Sequence, residues 1–380
     1  APRYAAYLLT AHGAPQGIDL GEADKIDGLI DRLRKALSDP KSTDYKVLAR
    51  ALDERIMQPA RRLAGSSQSF LIAPQGKLNL LPFSALVDED QVFLVNLYSF
   101  TYLTSGRDLL RLQNRTPSRQ NPLIVADPDF GERAASEARL AAPNASPFAQ
   151  TYFSPLPDTA IEAGELKALL SDATVLTRNE ATETALKKAM APEILHIATH
   201  GFFLEPSKRE SGDPAPTTGQ RLLLQQTPLY APLTGQLADN PLLRSGLGLA
   251  GANLLRVGND DGILTALEVS ALNLWGTKLV VLSACDTGVG EVRSGEGVYG
   301  LRRALILAGA ETLVMSLWPV SDQGTRDLMI AYYKSLQAGE GRSEAMRQVQ
   351  IRMLADPERR HPYYWASFIV SGAWSNKEGK

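Results

Sequence analysis

A single cysteine, Cys285, ends the most strand-like run of this chain, residues 278–285 (Lys-Leu-Val-Val-Leu-Ser-Ala-Cys). A second apolar run, residues 193–201, ends in His200 and Gly201. A lone cysteine with a distant histidine is a recognised pattern of a thiol nucleophile and the base that serves it. The two runs therefore predict a cysteine–histidine catalytic pair, formed where two buried strands end.

The backbone beside these residues suits attack on a carbonyl group. Because Gly201 has no side chain, its backbone can come close to a substrate. The N–H groups of Gly201 and Cys285 are the predicted donors to an oxyanion, and His200 is predicted to deprotonate the thiol and protonate the leaving amine. The alternatives are a buried, small apolar residue for Cys285 and a structural histidine at a strand end for His200.

His196 and His200 raise the alternative of a metal site, since they form a His-x-x-x-His pattern. A zinc peptidase has Glu after the first histidine, and this chain has Ile197 there. On an extended strand, at about 3.3 Å per residue, the two histidines lie about 13 Å apart, too far to share one ion. We therefore expect no metal.

A glycine motif, Gly295-Glu-Gly297-Val-Tyr-Gly300, raises the alternative of a nucleotide-dependent oxidoreductase. A dinucleotide-binding loop follows its strand directly and has an acidic residue about 20 positions on. Here the strand ends ten residues earlier, at Cys285, and the expected acidic position falls near Pro319. This alternative predicts a cofactor that is retained on purification, whereas we expect no cofactor.

Three more residues are candidates for a substrate pocket. Asp286 follows Cys285, and Trp318 and Asp322 follow the predicted strand 311–317. A buried carboxylate at either position would favour a basic side chain before the scissile bond. Each aspartate also has an ordinary interpretation, as a solvated loop residue or, for Asp322, as the N-cap of the next helix.

Composition and charge restrict the class of protein. The composition is typical of a soluble globular protein, and the net charge of −2 gives no basic field to attract nucleic acid. No run approaches the about 18 uninterrupted apolar residues of a membrane helix. One cysteine forms no intrachain disulfide, which predicts a reducing, cytoplasmic location. The chain begins at Ala1 without Met, so we interpret it as part of a longer protein.

From residue 122 onward, predicted strands alternate with predicted helices. The strands are 122–126, 173–177, 193–199, 278–284, 311–317 and 364–370, and the helices are 159–170, 182–189, 263–272, 297–308, 322–338 and 343–354. This alternation predicts an α/β fold with a mostly parallel sheet covered by helices on both faces. Ligands bind such sheets at the carboxyl ends of the strands, and His200 and Cys285 both fall there.

The chain is predicted to contain two domains, a smaller α/β domain at 1–118 and a larger one at 119–380. In the first domain we expect strands at 3–10, 69–73 and within 92–103, and helices at 21–38 and 44–64. The polar, turn-rich stretch 116–121 marks the boundary. Residues 205–245 form a predicted long loop close behind His200, and a loop of this length is usually functional or disordered. We interpret it as a gate or a self-cleavage site.

Three segments carry a family signal when they are taken together: residues 195–201 (Leu-His-Ile-Ala-Thr-His-Gly), 281–288 (Val-Leu-Ser-Ala-Cys-Asp-Thr-Gly) and 316–322 (Ser-Leu-Trp-Pro-Val-Ser-Asp). They resemble the CHAT domain, a caspase-like cysteine peptidase family related to separase. Further matches at 80–86, 156–162, 240–251 and 361–369 extend the resemblance over nearly the whole chain. The histidine and the cysteine are 85 residues apart, more than the about 50 of caspases, and the long loop accounts for the excess.

The resemblance implies His200 and Cys285 as the catalytic dyad of a caspase-like sheet. It also implies that Asp322 helps to receive a basic residue before the cut bond, as in separase-like relatives, and that residues 1–118 are an inactive caspase-like half. CHAT domains usually follow helical repeats. We therefore expect a regulatory partner or an N-terminal repeat region that is absent from this chain.

The residues and the resemblance together predict a cysteine endopeptidase that cuts protein substrates in a regulated and limited way, in bacterial defence or cell death. The alternative is a catalytically silent caspase fold that binds partner proteins. Labelling of Cys285 by a peptide electrophile distinguishes the two.

Overall fold

Strands and helices alternate through most of the structure, a computed structural model that describes residues 1–10, 13–114, 116–132, 151–203, 241–254, 260–283, 296–318 and 320–376. Its strands are β1 (Arg3–Leu8), β2 (Gln16–Glu22), β3 (Ser69–Ile72), β4 (Ser99–Tyr102), β5 (Leu123–Pro128), β6 (Thr174–Arg178), β7 (Ile194–Ala198), β8 (Gly201–Phe203), β9 (Ser245–Gly248), β10 (Ile263–Thr265), β11 (Leu279–Leu282), β12 (Thr312–Ser316) and β13 (Phe368–Gly372). Its α-helices are α1 (Ala23–Leu37), α2 (Tyr45–Arg55), α3 (Met57–Ala64), α4 (Asp108–Arg111), α5 (Pro157–Leu169), α6 (Glu183–Lys187), α7 (Pro241–Arg244), α8 (Ala266–Val269), α9 (Glu296–Leu307), α10 (Asp322–Gln337), α11 (Arg342–Ala355) and α12 (Pro362–Trp365).

Eight strands form one central sheet in the order β3-β4-β13-β12-β11-β7-β5-β6. Neighbouring strands in it are parallel, except that β12 and β13 are antiparallel. Strands β5, β7, β11, β12 and β13 are buried along their whole length, as expected for strands covered on both faces. The predicted α/β fold with a mostly parallel sheet is confirmed.

Two groups of helices flank this sheet. In one group, α5 packs on β5, α10 packs on α5, and α11 packs on α10 and on β13 and β4. In the other group, α9 packs against β12 together with the short helices α7 and α8. These contacts place apolar helix faces against the buried strands and form a continuous core.

Several elements differ in extent from the sequence-based expectation. The segment 44–64, predicted as one helix, is the two helices α2 and α3. Within 263–272, predicted as a helix, residues 263–265 are strand β10, because Thr265 and Glu268 form a reciprocal capping box that begins α8 at Ala266. The last strand was expected at 364–370 and begins at Phe368, because residues 362–365 form the short helix α12.

A second, three-stranded antiparallel sheet, β10-β9-β8, was not predicted. The end of the predicted loop 205–245 contributes to this region, because Pro241–Arg244 is helix α7 and Ser245 begins β9. That part of the loop prediction is therefore wrong. The remainder of the loop, residues 205–240, lies outside the described residues, and so its interpretation as a gate or a self-cleavage site stays a prediction.

Segments on both sides of the predicted domain boundary contribute to the central sheet. Strands β3 and β4 form one edge of it, and β4 pairs with β13 from the far end of the chain. Lys278 Nζ also donates to the carbonyl oxygen of Thr116 at 2.6 Å. The division into domains 1–118 and 119–380, with an inactive first half, stays a prediction.

Candidate active site

His200 lies two residues beyond the end of β7, where the chain leaves the central sheet and enters the three-stranded sheet. Strand β9 holds its backbone from the side. Thr199 Oγ1 donates to the carbonyl oxygen of Gly248 at 2.5 Å, and the N–H of Gly248 donates to the carbonyl oxygen of His200 at 2.9 Å. Gly201 then begins β8 and lies opposite Leu247. The peptide groups around the predicted base are therefore fixed by two sheets.

His200 is 4% exposed, and its imidazole ring is oriented by Ser154. Its Nε2 lies 2.7 Å from the carbonyl oxygen of Ser154 and 3.4 Å from Ser154 Oγ. A carbonyl oxygen can only accept, so Nε2 is the protonated nitrogen in this arrangement. In a neutral ring the lone pair is then on Nδ1, which is what a base needs to accept a proton.

Two phenylalanine rings surround this histidine. The ring centroids of Phe130 and Phe153 lie 5.2 and 5.8 Å from that of His200, and the two phenyl rings stack on each other. Asn253 fixes their backbones: its Oδ1 accepts from the N–H of Phe153 at 3.0 Å, and its Nδ2 donates to the carbonyl oxygens of Phe153 and Gly131 at 2.8 and 3.0 Å. These contacts exclude water from part of the histidine environment.

Sequence reasoning missed these four residues. No local pattern in the sequence predicts that Phe153 and Ser154 reach His200. The only available signals were aromatic residues in a polar segment and an asparagine shortly after the 240–251 match.

The strand that leads toward the predicted nucleophile lies directly beside β7. Strand β11 pairs with β7 in parallel, with Leu282 opposite Ile197, and the N–H of Ser283 continues the pairing by donating to the carbonyl oxygen of Ile197 at 2.9 Å. Residues 284–295, which include Cys285 and Asp286, lie outside the described residues. The roles assigned to both stay predictions.

Trp318 lies at the same edge of the sheet, just beyond β12 on the other side of β11. It is buried, and its indole Nε1 has no hydrogen-bond partner among the described residues. Arg34 of α1 donates to the neighbouring Leu317 carbonyl oxygen at 3.3 Å, and burial lowers the pKa of this guanidinium. Helix α1 thus contacts the predicted pocket segment. The sequence did not indicate this contact.

Asp322 is the first residue of helix α10 and is not its N-cap. The cap is Ser321, whose Oγ accepts from the N–H of Gly324 at 3.2 Å. The interpretation of Asp322 as a capping residue is therefore wrong. Its assignment to a substrate pocket stays a prediction.

The two histidines of the His-x-x-x-His pattern have separate environments. His196 is fully buried, with Nδ1 3.1 Å from the Tyr333 hydroxyl and Nε2 3.2 Å from Glu162 Oε1, whereas His200 contacts Ser154. Within the described ranges no group of three or more His, Cys, Asp or Glu side chains is placed to hold a metal ion.

The mostly parallel central sheet flanked by helices defines an α/β protein. The family model for the CHAT domain matches residues 46–373, and this chain belongs to that family. The resemblance stated from the sequence is confirmed.

This chain is similar to a curated protein and to two solved structures, all at low sequence identity. Tetratricopeptide repeat protein 28 of Homo sapiens is 25% identical over 318 residues, which are 81% of this chain and 12% of that protein. The Saccharomyces cerevisiae separase–securin complex aligns with a TM-score of 0.44 and 12% identity, over 93% of this chain and 22% of that one. The Arg-specific cysteine proteinase gingipain R aligns with a TM-score of 0.44 and 9% identity, over 93% and 74%. This chain thus spans a small fraction of the curated relative.

None of the helices in the described part of the chain combines the length and the apolar character needed to cross a bilayer. The cytoplasmic location stays a prediction.

Proposed function

We propose that this chain is a cysteine endopeptidase in which Cys285 is the nucleophile and His200 the base. One observation carries the proposal, the parallel pairing of β7 with β11 in which Leu282 lies opposite Ile197. His200 and Cys285 each follow a member of this pair by three residues. In parallel sheets the carboxyl ends of neighbouring strands share one edge, where ligands bind.

The proposed reaction is an acyl transfer in two steps. His200 takes the thiol proton, and the sulfur of Cys285 attacks the scissile carbonyl carbon to form an S–C bond. The N–H groups of Gly201 and Cys285 stabilise the oxyanion. The C–N bond then breaks as His200 protonates the leaving amine, and water hydrolyses the thioester to release the carboxylic acid and the thiol.

The lone pair on His200 Nδ1 supports this assignment. Because Ser154 accepts from Nε2, the ring is oriented with its proton-accepting nitrogen away from that carbonyl group. The buried phenyl rings lower the local dielectric constant, which strengthens the interaction between an imidazolium and a thiolate. A cysteine beside a protonated histidine has a lowered pKa and reacts faster.

The proposed substrate is a polypeptide, with Asp286, Trp318 and Asp322 lining the pocket for the residue before the cut bond. Regulated cleavage of one or a few proteins follows from the family resemblance, and the setting in bacterial defence or cell death stays a prediction. The name of the human relative, which specifies tetratricopeptide repeats, supports the proposal that a repeat region or a regulatory partner acts with this chain.

A set of peptide electrophiles tests the proposed function. We expect covalent labelling at Cys285, detected by intact mass, with no labelling of Cys285→Ala and at least about 10²-fold slower labelling of His200→Ala, because general acid–base catalysis contributes about 10²–10⁴-fold. Ser371→Ala, a change at a buried hydroxyl in β13, is the matched control and should label like the wild type.

Absence of labelling in the wild type with every peptide, in a chain that remains folded, would contradict the proposal. It would favour the catalytically silent scaffold instead. Cofactor released on denaturation would favour the oxidoreductase alternative.

A further inference from the structure

Four buried polar side chains lie beneath the candidate active site, and the proposed reaction uses none of them. They are Glu162 in α5, His196 in β7, Ser283 just after β11 and Tyr333 in α10. Each is at most 9% exposed. They sit between apolar strands and apolar helix faces, where polar groups are costly to bury unless they are paired.

Glu162 contacts a residue from each of the two strands, β7 and β11, that lead to the proposed dyad. Its Oε2 accepts a hydrogen bond from Ser283 Oγ at 3.2 Å, and its Oε1 lies 3.2 Å from His196 Nε2. Neither Glu162 Oε1 nor His196 Nε2 has a hydrogen-bond partner among the described residues, so this second contact is an electrostatic contact. The Ser283 hydroxyl is thus the aligned donor to this carboxyl group.

Tyr333 completes the network from the neighbouring helix. Its hydroxyl lies 3.1 Å from His196 Nδ1. Burial, together with Tyr332 and Glu162, raises the pKa of Tyr333 well above its usual value, so the phenol keeps its proton. The imidazole of His196 is therefore held between a phenol and a carboxyl group.

Ser283 is the member of the network closest in sequence to Cys285. Its backbone N–H is bound to the carbonyl oxygen of Ile197, and its side chain is bound to Glu162. The backbone and the side chain of Ser283 are therefore both held in place, two residues before the predicted nucleophile. The first turns of α5 also fix the neighbouring strand, because the N–H of Asp127 at the end of β5 donates to Thr159 Oγ1 at 2.9 Å.

We propose that Glu162 is a positioning residue for catalysis, which holds the carboxyl ends of β7 and β11 in a fixed register through its bond to Ser283 and its contact with His196. This inference rests on the proposed function of Cys285 and His200. Glu162 is assigned an indirect role. It acts through Ser283, so its removal changes how the thiol is presented.

Apolar side chains would fill the same space at lower cost in stability. Replacing buried ionic groups with well-packed apolar residues is often neutral or stabilising. This network therefore contributes geometry more than stability. Glu162 Oε1 and His196 Nε2 have no hydrogen-bond partner among the described residues, while the bond from Ser283 to Glu162 fixes one arrangement of the strand and the helix. The network lies close to the carboxyl ends of β7 and β11. Fixed geometry affects reactivity most at this place, because small displacements of reacting groups cost large factors in rate.

The single cysteine of the chain allows a direct test. Iodoacetamide reacts with a thiolate much faster than with any other side chain, so the second-order rate of alkylation at Cys285 can be measured from pH 5 to pH 10 without any substrate. For Ser283→Ala we expect a rate at least about 5-fold below wild type near pH 7, with the midpoint moved toward the about 8.5 of an unperturbed thiol. Ser283→Thr keeps the hydroxyl and should stay within about 2-fold of wild type.

A second pair of variants changes the other partner. Glu162→Gln retains an oxygen that can accept from Ser283 and should resemble wild type, whereas Glu162→Met lacks an acceptor and should resemble Ser283→Ala. Comparison of Glu162→Gln with Glu162→Met tests whether Glu162 positions the thiol even if Ser283→Ala does not fold. Ser371→Ala, which removes a buried hydroxyl that has no hydrogen-bond partner among the described residues, controls for general loosening of the sheet.

Superimposable pH–rate profiles for wild type, Ser283→Ala and Glu162→Met would overturn the inference, and so would an equal loss in Ser371→Ala. The proposed function fails separately, if wild type reacts with iodoacetamide but with no peptide electrophile. In that case the rate ratio of Ser283→Ala to wild type still decides whether Glu162 positions the thiol.

Discussion

The carboxyl group of Glu183 is bound between helix α6 and the three-stranded sheet. Its Oε1 accepts from the N–H of Gly262 at 2.7 Å, and its Oε2 lies 2.8 Å from Lys187 Nζ. The pKa of Glu183 is raised from 4.5 to about 7, mainly by burial and also by the nearby Asp261 carboxyl group, while Lys187 and the N–H of Gly262 oppose the shift. The folded state therefore holds this proton more tightly than the unfolded state.

This shift predicts a pH dependence of stability with a definite sign. A raised carboxyl pKa contributes stability that is complete below about pH 4.5 and is lost as the pH rises through about 7. We expect the free energy of unfolding of Glu183→Gln, measured with urea between pH 4.5 and pH 8, to fall less with increasing pH than that of wild type.

The exposed Glu165 in α5 provides the control for this prediction. Glu165→Gln should give a curve parallel to wild type, because an exposed carboxyl group interacts weakly with its surroundings. Parallel curves for wild type and Glu183→Gln would mean that Glu183 titrates alike in both states, contrary to the prediction.

At the scale of elements, the three-stranded sheet is packed tightly at its central strand. A Cβ atom on Gly246 of β9 would lie 2.5 Å from the carbonyl oxygen of Leu264 and 2.9 Å from the ring of Phe202. The first of these is backbone, so the clash can be relieved only if the strands move apart. Strand β9 also continues to Gly248, which binds the backbone of His200.

Gly246→Ala is therefore expected to lower the free energy of unfolding by about 1–3 kcal/mol, the usual cost of overpacking. Denaturation with urea measures the change, and labelling of Cys285 by a peptide electrophile should slow as β9 moves. The matched control is Gly164→Ala in helix α5, where a Cβ atom meets nothing within 4 Å.

Gly164→Ala should stabilise the protein by about 0.5–1 kcal/mol, because alanine has the higher helix propensity. Equal effects of the two substitutions would show that β9 accommodates a side chain, and the tight packing would then have no energetic consequence.

At the scale of the whole molecule, the two sides of the predicted boundary at 118/119 share contacts besides the sheet. The buried Arg302 of α9 donates to Asn79 Oδ1, and Arg34 donates to the carbonyl oxygen of Leu317. Strand β4 pairs with β13. Removal of residues 1–118 would expose the buried sheet edge and take the Asn79 acceptor away from Arg302.

We expect the whole chain to unfold in one transition and a 119–380 fragment to unfold at a clearly lower denaturant concentration, or not to fold. Loss of a hydrogen bond to a charged group costs about 1.5–3 kcal/mol, and the newly exposed edge of the sheet adds to that cost. Circular dichroism against urea measures both chains. A fragment with the midpoint of the whole chain would support the predicted boundary between independent domains.

The strands and helices with strong periodic patterns could be predicted from the sequence alone. Helix α1 buries Ile26, Ile30, Leu33 and Leu37 at helical spacing, and β7 and β11 are uninterrupted apolar runs. Their alternation also predicted the parallel sheet and the placement of His200 at a strand end. Such features depend on neighbours along the chain, and local sequence therefore determines them.

Only the tertiary structure decided which residues surround His200 and Ser283. Asn253 is far in sequence from Phe153 and Glu162, and all three are far from the residues that they contact or surround, so their contacts depend on how separate elements pack. Glu162 had one local signal, a charge on the buried side of a helix, one turn before the buried Leu166. The sequence determined which elements form, because periodicity is local, whereas the environment of the candidate site depends on packing between distant segments, which leaves no periodic trace.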